Sequence, residues 1–197
     1  MNGLYPLKFH PIYLEKLWGG GKRLEKVLGK NLGDITNCGE SWELSAVEGH
    51  VSVVKNGFLQ GNTITELVEV YMGDLIGDRI YDKFGIGFPL LFKFIDTNAD
   101  LSVQVHPGDD LAIYRHGETG KTEMWYVVDA ELGALINKGF NKRISREEYI
   151  KILNNGKLPD VLYFEEVFPD DVLFVPAGTV HAIGKGVLAA EIQQTSD

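Results

Sequence analysis

A chain of 197 residues with 28 acidic and 19 basic side chains carries a formal net charge of −9. That charge withholds the basic footprint that nucleic acid or an anionic membrane surface demands, although it leaves room for a small anionic substrate held by a few local cations. Hydrophobic residues at 44% and charged residues at 24% fit a soluble globular chain of one substantial domain, or at most two small ones.

No apolar run approaches the roughly 18 residues of a membrane helix. The opening stretch MNGLYPLKFHP lacks the apolar region of a secretory signal, and the lone Cys38 excludes an intrachain disulfide. A reducing, cytoplasmic setting is therefore expected. The glycine cluster WGGGK, Trp18 to Lys22, follows no strand and lacks the spacing of a phosphate loop, so it reads as a turn. Next come two strand-like runs, WELSAV and HVSVVKNG. In NTITELVEVYMGDLIG, Ile64, Leu67, Val68, Tyr71, Met72 and Leu75 share one stripe, and Thr63 with Glu66 forms a capping box, which predicts a helix. FPLLFKFID, LSVQVH, EMWYVVDA and GALINKGF return to strand. SREEYIKILNNG predicts a second helix, capped by Ser145 with Glu148 at its third position and stopped by Gly156. DVLFVPAG and VLAAEIQQ close the series. Eight β-branched or aromatic runs, punctuated by Gly, Asn, Asp and Pro, with two inserted helices, predict a mostly antiparallel sandwich or barrel. Repeats and linkers are missing, so a single domain is expected.

The stretch LSVQVH carries the first chemical signal. Alternation puts Leu101, Val103 and Val105 on one face and Ser102, Gln104 and His106 on the other. Burying a hydroxyl, an amide and an imidazole together costs several kcal/mol unless something satisfies them, and a metal or a wet pocket would do so. Glu123 follows at the head of EMWYVVDA, and His181 follows the Pro176–Gly178 turn. Singly, each has an ordinary structural explanation as a packed histidine or an ion-pair partner. Together, two imidazoles and a carboxylate beside a polar group suit a zinc site with an open position, and iron or manganese fits the same donors. His10, His50 and His116 lack such a context and read as surface residues.

The run Asp171-x4-Pro176-Ala177-Gly178-x2-His181 resembles the second motif of the cupins, in which a strand and turn place a histidine inside a β-barrel. The first cupin motif usually offers His-x-His with a glutamate close behind. Here it reads Gln104-x-His106 with a long gap to Glu123, a variation that one cupin family has. With HPIYLEKLWGG, GESWELSAVEGHVSVVKNG, LSVQVHPGDD, KTEMWY, PAGTVHAI and EIQQTSD, the chain resembles type I mannose-6-phosphate isomerases in their shorter bacterial form. The resemblance spans nearly the whole chain.

It implies a mainly β fold, a cupin-type jelly-roll barrel with a small inserted helical region. It also implies one Zn²⁺ per chain on Gln104, His106, Glu123 and His181, with Gln104 either a direct ligand or a group behind the ligands. Ser102 matches a serine linked to the substrate phosphate, and Lys121 a lysine near the bound sugar. Trp18, Glu40 and Trp42 match positions lining the pocket. The family interconverts mannose 6-phosphate and fructose 6-phosphate, which requires a base to move a proton between C2 and C1. Glu191 is the candidate, because Ala189, Glu191 and Gln193 share one strand face. In the family, the equivalent of QQTSD continues into an arginine-bearing segment and a second β-domain, whereas this sequence stops at Asp197. The expectation is a single catalytic cupin domain over 1–197, without the second β-domain, that binds zinc but turns over slowly if at all. The missing strand would expose a sheet edge that favours dimerisation or poor solubility, and a monomer or weak homodimer is expected. A non-catalytic cupin binding a sugar or metabolite is the competing reading. An iron dioxygenase is a third, disfavoured because such sites use more histidine.

Overall fold

The computed structural model describes residues 3–20 and 22–196; Gly21, inside the expected turn, and the terminal Asp197 lie outside the described residues. Ten strands form among the described residues: β1 (Ile12–Glu15), β2 (Cys38–Leu44), β3 (Leu90–Asp96), β4 (Gln104–Val105), β5 (Glu123–Ala130), β6 (Leu135–Phe140), β7 (Leu162–Glu166), β8 (Val172–Val175), β9 (Val180–Ile183) and β10 (Val187–Gln194). They pair antiparallel in two sheets, one ordered β1-β2-β3-β10-β5-β8 and the other β4-β9-β6-β7. Six α-helices accompany them among the described residues: α1 (Lys22–Lys26), α2 (Ile64–Tyr71), α3 (Gly73–Ile76), α4 (Asp78–Phe84), α5 (Asp109–His116) and α6 (Arg146–Asn154). The mainly β, cupin-type architecture is the one expected. No described helix is long and apolar enough to cross a membrane.

Alternation builds the main core. Trp125 and Val127 of β5, Ala189 of β10, Ile95 of β3 and Leu173 and Val175 of β8 meet Ile136 of β6 and Ile183 of β9 between the two sheets. The opposite face of the larger sheet is partly covered by α1 and its following loop, where Leu24, Leu32 and Cys38 pack on Leu188. The buried carboxylate of Asp96 anchors that cover, accepting the backbone N–H of Arg23 at 2.8 Å and of Leu24 at 3.2 Å. A third cluster joins the N-terminal segment to α2, with Val54, Leu59 and Leu67 at its centre.

Several boundaries differ from expectation for identifiable reasons. The capping box of α2 forms, with the Thr63 N–H donating to Glu66 at 2.7 Å. The helix nevertheless breaks at Met72, whose φ is 47°, so Met72 leaves the buried stripe and is 48% exposed. The chain re-enters as α3 through Gly73, where a Cβ would collide with the Asp78 side chain. HVSVVKNG is not a strand; Val53 and Val54 make only isolated bridges, to Thr63 and Phe9. LSVQVH contracts to the two residues of β4, and its supposed apolar face is largely open, with Val103 41% and Val105 55% exposed. β4 is an edge strand paired only with β9, so little packs over that side, and Leu101 alone of the three reaches the core.

Ile136, fully buried between the sheets, tests this packing. Ile136→Ala is expected to cost about 2–5 kcal/mol, read as a lowered urea midpoint at unchanged slope.

Candidate active site

The inner-face register brings the chemistry together. Gln104 stands opposite His181 across the β4–β9 ladder, and His106 follows Gln104 by two residues, on the same side. Glu123 opens β5 on the facing sheet, first of the inward series Glu123, Trp125 and Val127. One ligand atom from each of His106, Glu123 and His181 falls within 4.8 Å of the others. His181 Nε2 lies 3.0 Å from Glu123 Oε1, and His106 Nε2 lies 3.9 Å from Glu123 Oε2.

The protonation pattern suits a cation. His181 Nδ1 faces the Thr179 carbonyl oxygen at 2.9 Å. A carbonyl can only accept, so Nδ1 carries the proton and, in the neutral ring, Nε2 offers its lone pair to the carboxylate side. His106 is pushed down to about 4, first by burial and then by the nearby charge of Lys121, so near neutral pH its ring is uncharged. His106 Nε2, His181 Nε2 and both Glu123 oxygens are buried without a hydrogen bond. Leaving four such atoms unsatisfied costs several kcal/mol, and a shared divalent cation satisfies all of them. Two imidazole nitrogens and a carboxylate are a fitting donor set for zinc, and Gln104 borders the same space.

Beside this trio lies a cavity of about 220 Å³. Its wall includes the anticipated Trp18, Glu40, Ser102, Lys121 and Glu191. Ser102 is solvent-exposed, whereas Lys121 is largely withdrawn, its ammonium 3.6 Å from Glu123 Oε2. Trp42 is placed differently from expectation. It is fully buried behind the wall and donates from Nε1 to Glu40 Oε2 at 2.9 Å. It orients Glu40 and contributes no surface to the cavity. His50, expected as an isolated surface residue, is half-buried with its ring centroid 5.3 Å from that of Trp42.

Sequence reasoning missed Lys93, Trp125 and Lys16. Lys93 is buried between two carboxylates, 3.1 Å from Glu191 and 3.6 Å from Glu40. Trp125 donates to Glu191 Oε2 at 2.6 Å, and Lys16 lies 3.3 Å from Glu40 Oε2. Each glutamate is thus braced by an indole N–H and an ammonium. Burial pushes the Glu191 carboxyl up, but Lys93, Lys121 and the Trp125 N–H outweigh it, and the net shift is downward. A signal for Lys93 was present in FPLLFKFID: alternation places it between Leu91 and Ile95, a charge in a core-facing row.

Residues 7–137 match the family model described as phosphomannose isomerase type I, catalytic domain. The chain is 42% identical, over 98% of its length, to mannose-6-phosphate isomerase ManA of Bacillus subtilis (strain 168), covering 58% of that protein. A crystal structure of the mannose 6-phosphate isomerase from Bacillus subtilis superposes with a TM-score of 0.86 at 36% identity, over 98% of this chain and 59% of that one. A zinc-bound mannose 6-phosphate isomerase shares the fold at 16% identity, with a TM-score of 0.74 over 97% of this chain and 68% of that one. The chain spans about three fifths of the length of the curated relatives it matches over nearly all its residues.

The metal-free chain has a defined acid response. His106 is neutral in the fold down to about pH 4, while in the unfolded chain it protonates near 6.5. The unfolded state therefore binds the extra proton first, and stability falls as pH drops from about 6.5 to about 4. Glu191, held below its ordinary value, contributes a further loss only in the more acidic carboxylate range. Chelator-treated protein is expected to show the slope in denaturation midpoints between these pH values, and His106→Ala should flatten it.

Proposed function

The chain belongs to the type I phosphomannose isomerase family, and from that membership we propose that it interconverts mannose 6-phosphate and fructose 6-phosphate with one zinc ion. The observation that carries the reading is the buried, hydrogen-bond-free set of His106, Glu123 and His181 atoms beside a cavity with several charged groups on its wall. The zinc-bound relative of the same fold supports the choice of metal. Gln104 is the remaining candidate ligand. The same reading makes it a cytoplasmic phosphosugar enzyme, a monomer or weak homodimer, in which residues 1–197 form a catalytic cupin domain.

Zinc, when bound, supplies the Lewis acidity that makes a hydrogen beside a sugar carbonyl removable. The chain's own groups then divide the remaining work. Ser102 is at hand for the phosphate, and Lys121 offers positive charge to the phosphate or to oxygens that gain negative charge. Glu191, ionised because its net shift is downward, accepts the proton from C2 and returns it to C1, while the hydroxyl proton passes from O2 to O1. The Trp125 N–H fixes that carboxylate's orientation. The downward shift weakens Glu191 as a base, so the step relies on its placement and on activation of the sugar rather than on basicity. Glu40, set by Trp42 and Lys16, faces the sugar with Trp18.

Turnover of mannose 6-phosphate to fructose 6-phosphate, with and without a chelator, tests the assignment. Chelation is expected to abolish turnover and added zinc to restore it. Lys121→Met should lower kcat by about a hundredfold, in the range seen when a charge-stabilising group is removed. Zinc binding without turnover would leave a sugar-binding cupin.

His181→Ala and Glu123→Ala should each lose zinc in competition with a chromogenic chelator. The single-ligand losses should exceed that of Gln104→Ala if the amide stands behind the ligands, and equal it if the amide binds directly.

A further inference from the structure

Three consecutive backbone amides precede Glu123, two held by the Pro107–Asp109 segment and the third by the end of β10. The Gly120 N–H donates to Asp109 Oδ1 at 2.9 Å, the Lys121 N–H to the Pro107 carbonyl at 3.2 Å, and the Thr122 N–H to Gln194 Oε1 at 2.8 Å. The two side-chain anchors are themselves joined, since Gln194 Nε2 donates to the same Asp109 Oδ1 at 2.9 Å. A backbone bond from the Gln194 N–H to the Thr122 carbonyl, 3.1 Å, completes the knot. Gly120 lies so close to the neighbouring loop that a Cβ would sit 2.6 Å from the Asp109 amide nitrogen and 2.8 Å from the Pro107 carbonyl oxygen. Only glycine permits that approach.

The three segments have distinct cargo. Pro107–Asp109 directly follows His106, Gly120–Thr122 contains Lys121 and leads into Glu123, and β10 carries Glu191 three residues before Gln194. One carboxylate oxygen therefore ties the segment after one candidate metal ligand to the segment before another. Asp109 does not line the active-site cavity.

We propose that Asp109 and Gln194 form a clamp that positions Lys121 and Glu123 against His106. Asp109 serves as a hydrogen-bond acceptor in it, and its charge is incidental. The competing explanation is that Asp109, in the first turn of α5 with Asp110, acts only as a negative charge at a helix start. Asparagine separates the two, because it keeps the acceptor and loses the charge.

The experiment compares Asp109→Ala, Asp109→Asn and Gln194→Met in the full chain, by amide hydrogen exchange, zinc competition and steady-state kinetics. In Asp109→Ala, protection at Gly120, Lys121 and Thr122 should fall about tenfold or more while β6 and β7 are unchanged, as for a local opening. Zinc should bind more weakly, and kcat should fall about tenfold or more with KM within about twofold, as expected of lost alignment. Asp109→Asn should restore most of each loss, and Gln194→Met should reproduce the loss should Asp109→Ala fail to fold. Unchanged exchange in both Asp109→Ala and Gln194→Met would overturn the clamp, as would an Asp109→Asn variant no better than Asp109→Ala. Only the kinetic arm rests on the isomerase reading. A parent chain without turnover whose loop still opens in Asp109→Ala would remove that reading and keep the clamp.

Discussion

A carboxylate from one sheet meets two imidazoles from the other in the interior, and the surrounding architecture is organised around that encounter. Glu123 cannot be buried as an anion without compensation. Lys121 stands 3.6 Å from one of its oxygens, and the His181 ring is held by the Thr179 carbonyl. The β4–β9 register, the β5 alternation and the spacing of the two sheets all bear on whether these atoms converge. A register slip of one residue in β9 would turn His181 to the other face and leave Glu123 buried with one fewer partner. The site is therefore a constraint on the fold as much as a product of it.

A second group of buried charges lines the same cavity, built on a different logic. Glu40 and Glu191 face Lys93 between them, and each receives an indole N–H, from Trp42 and Trp125. Each of these carboxylates accepts an indole N–H on one oxygen, whereas both Glu123 oxygens are buried without a hydrogen bond. The contrast marks Glu123 as the carboxylate that most needs an added cation.

Local patterns carried much of this into view. EMWYVVDA became β5 to the residue, and the caps at Thr63 and Ser145 both form, because each depends on neighbours within a few positions. His106, Glu123 and His181 could be singled out as candidates because short motifs mark them. What stayed hidden depends on partners far along the chain. β9, four buried residues, carries no alternation to mark it and lies outside the expected strands. The exposure of Val103 and Val105 follows from β4 lying at a sheet edge, which alternation cannot express. Lys93 showed as a charge in an apolar row, but its two glutamate partners come from β2 and β10. The break at Met72 opposes a good helical stripe, and the Gly73–Asp78 approach that accompanies it is tertiary.

The placement of β10 has a consequence for biosynthesis. It is the last strand along the described chain, yet it lies in the interior of the larger sheet, hydrogen-bonded to β3 on one side and β5 on the other. While a ribosome makes the 64 residues between the end of β5 at 130 and the end of β10 at 194, about 3–13 s at usual elongation rates, the emerging chain holds two strand edges that await the same partner. Until then β3 and β5 have no correct neighbour between them, and Glu191 is not yet in place to meet Lys93. The nascent chain is thus most open to mispairing during those seconds, and factors that shield exposed β-edges would act on it then.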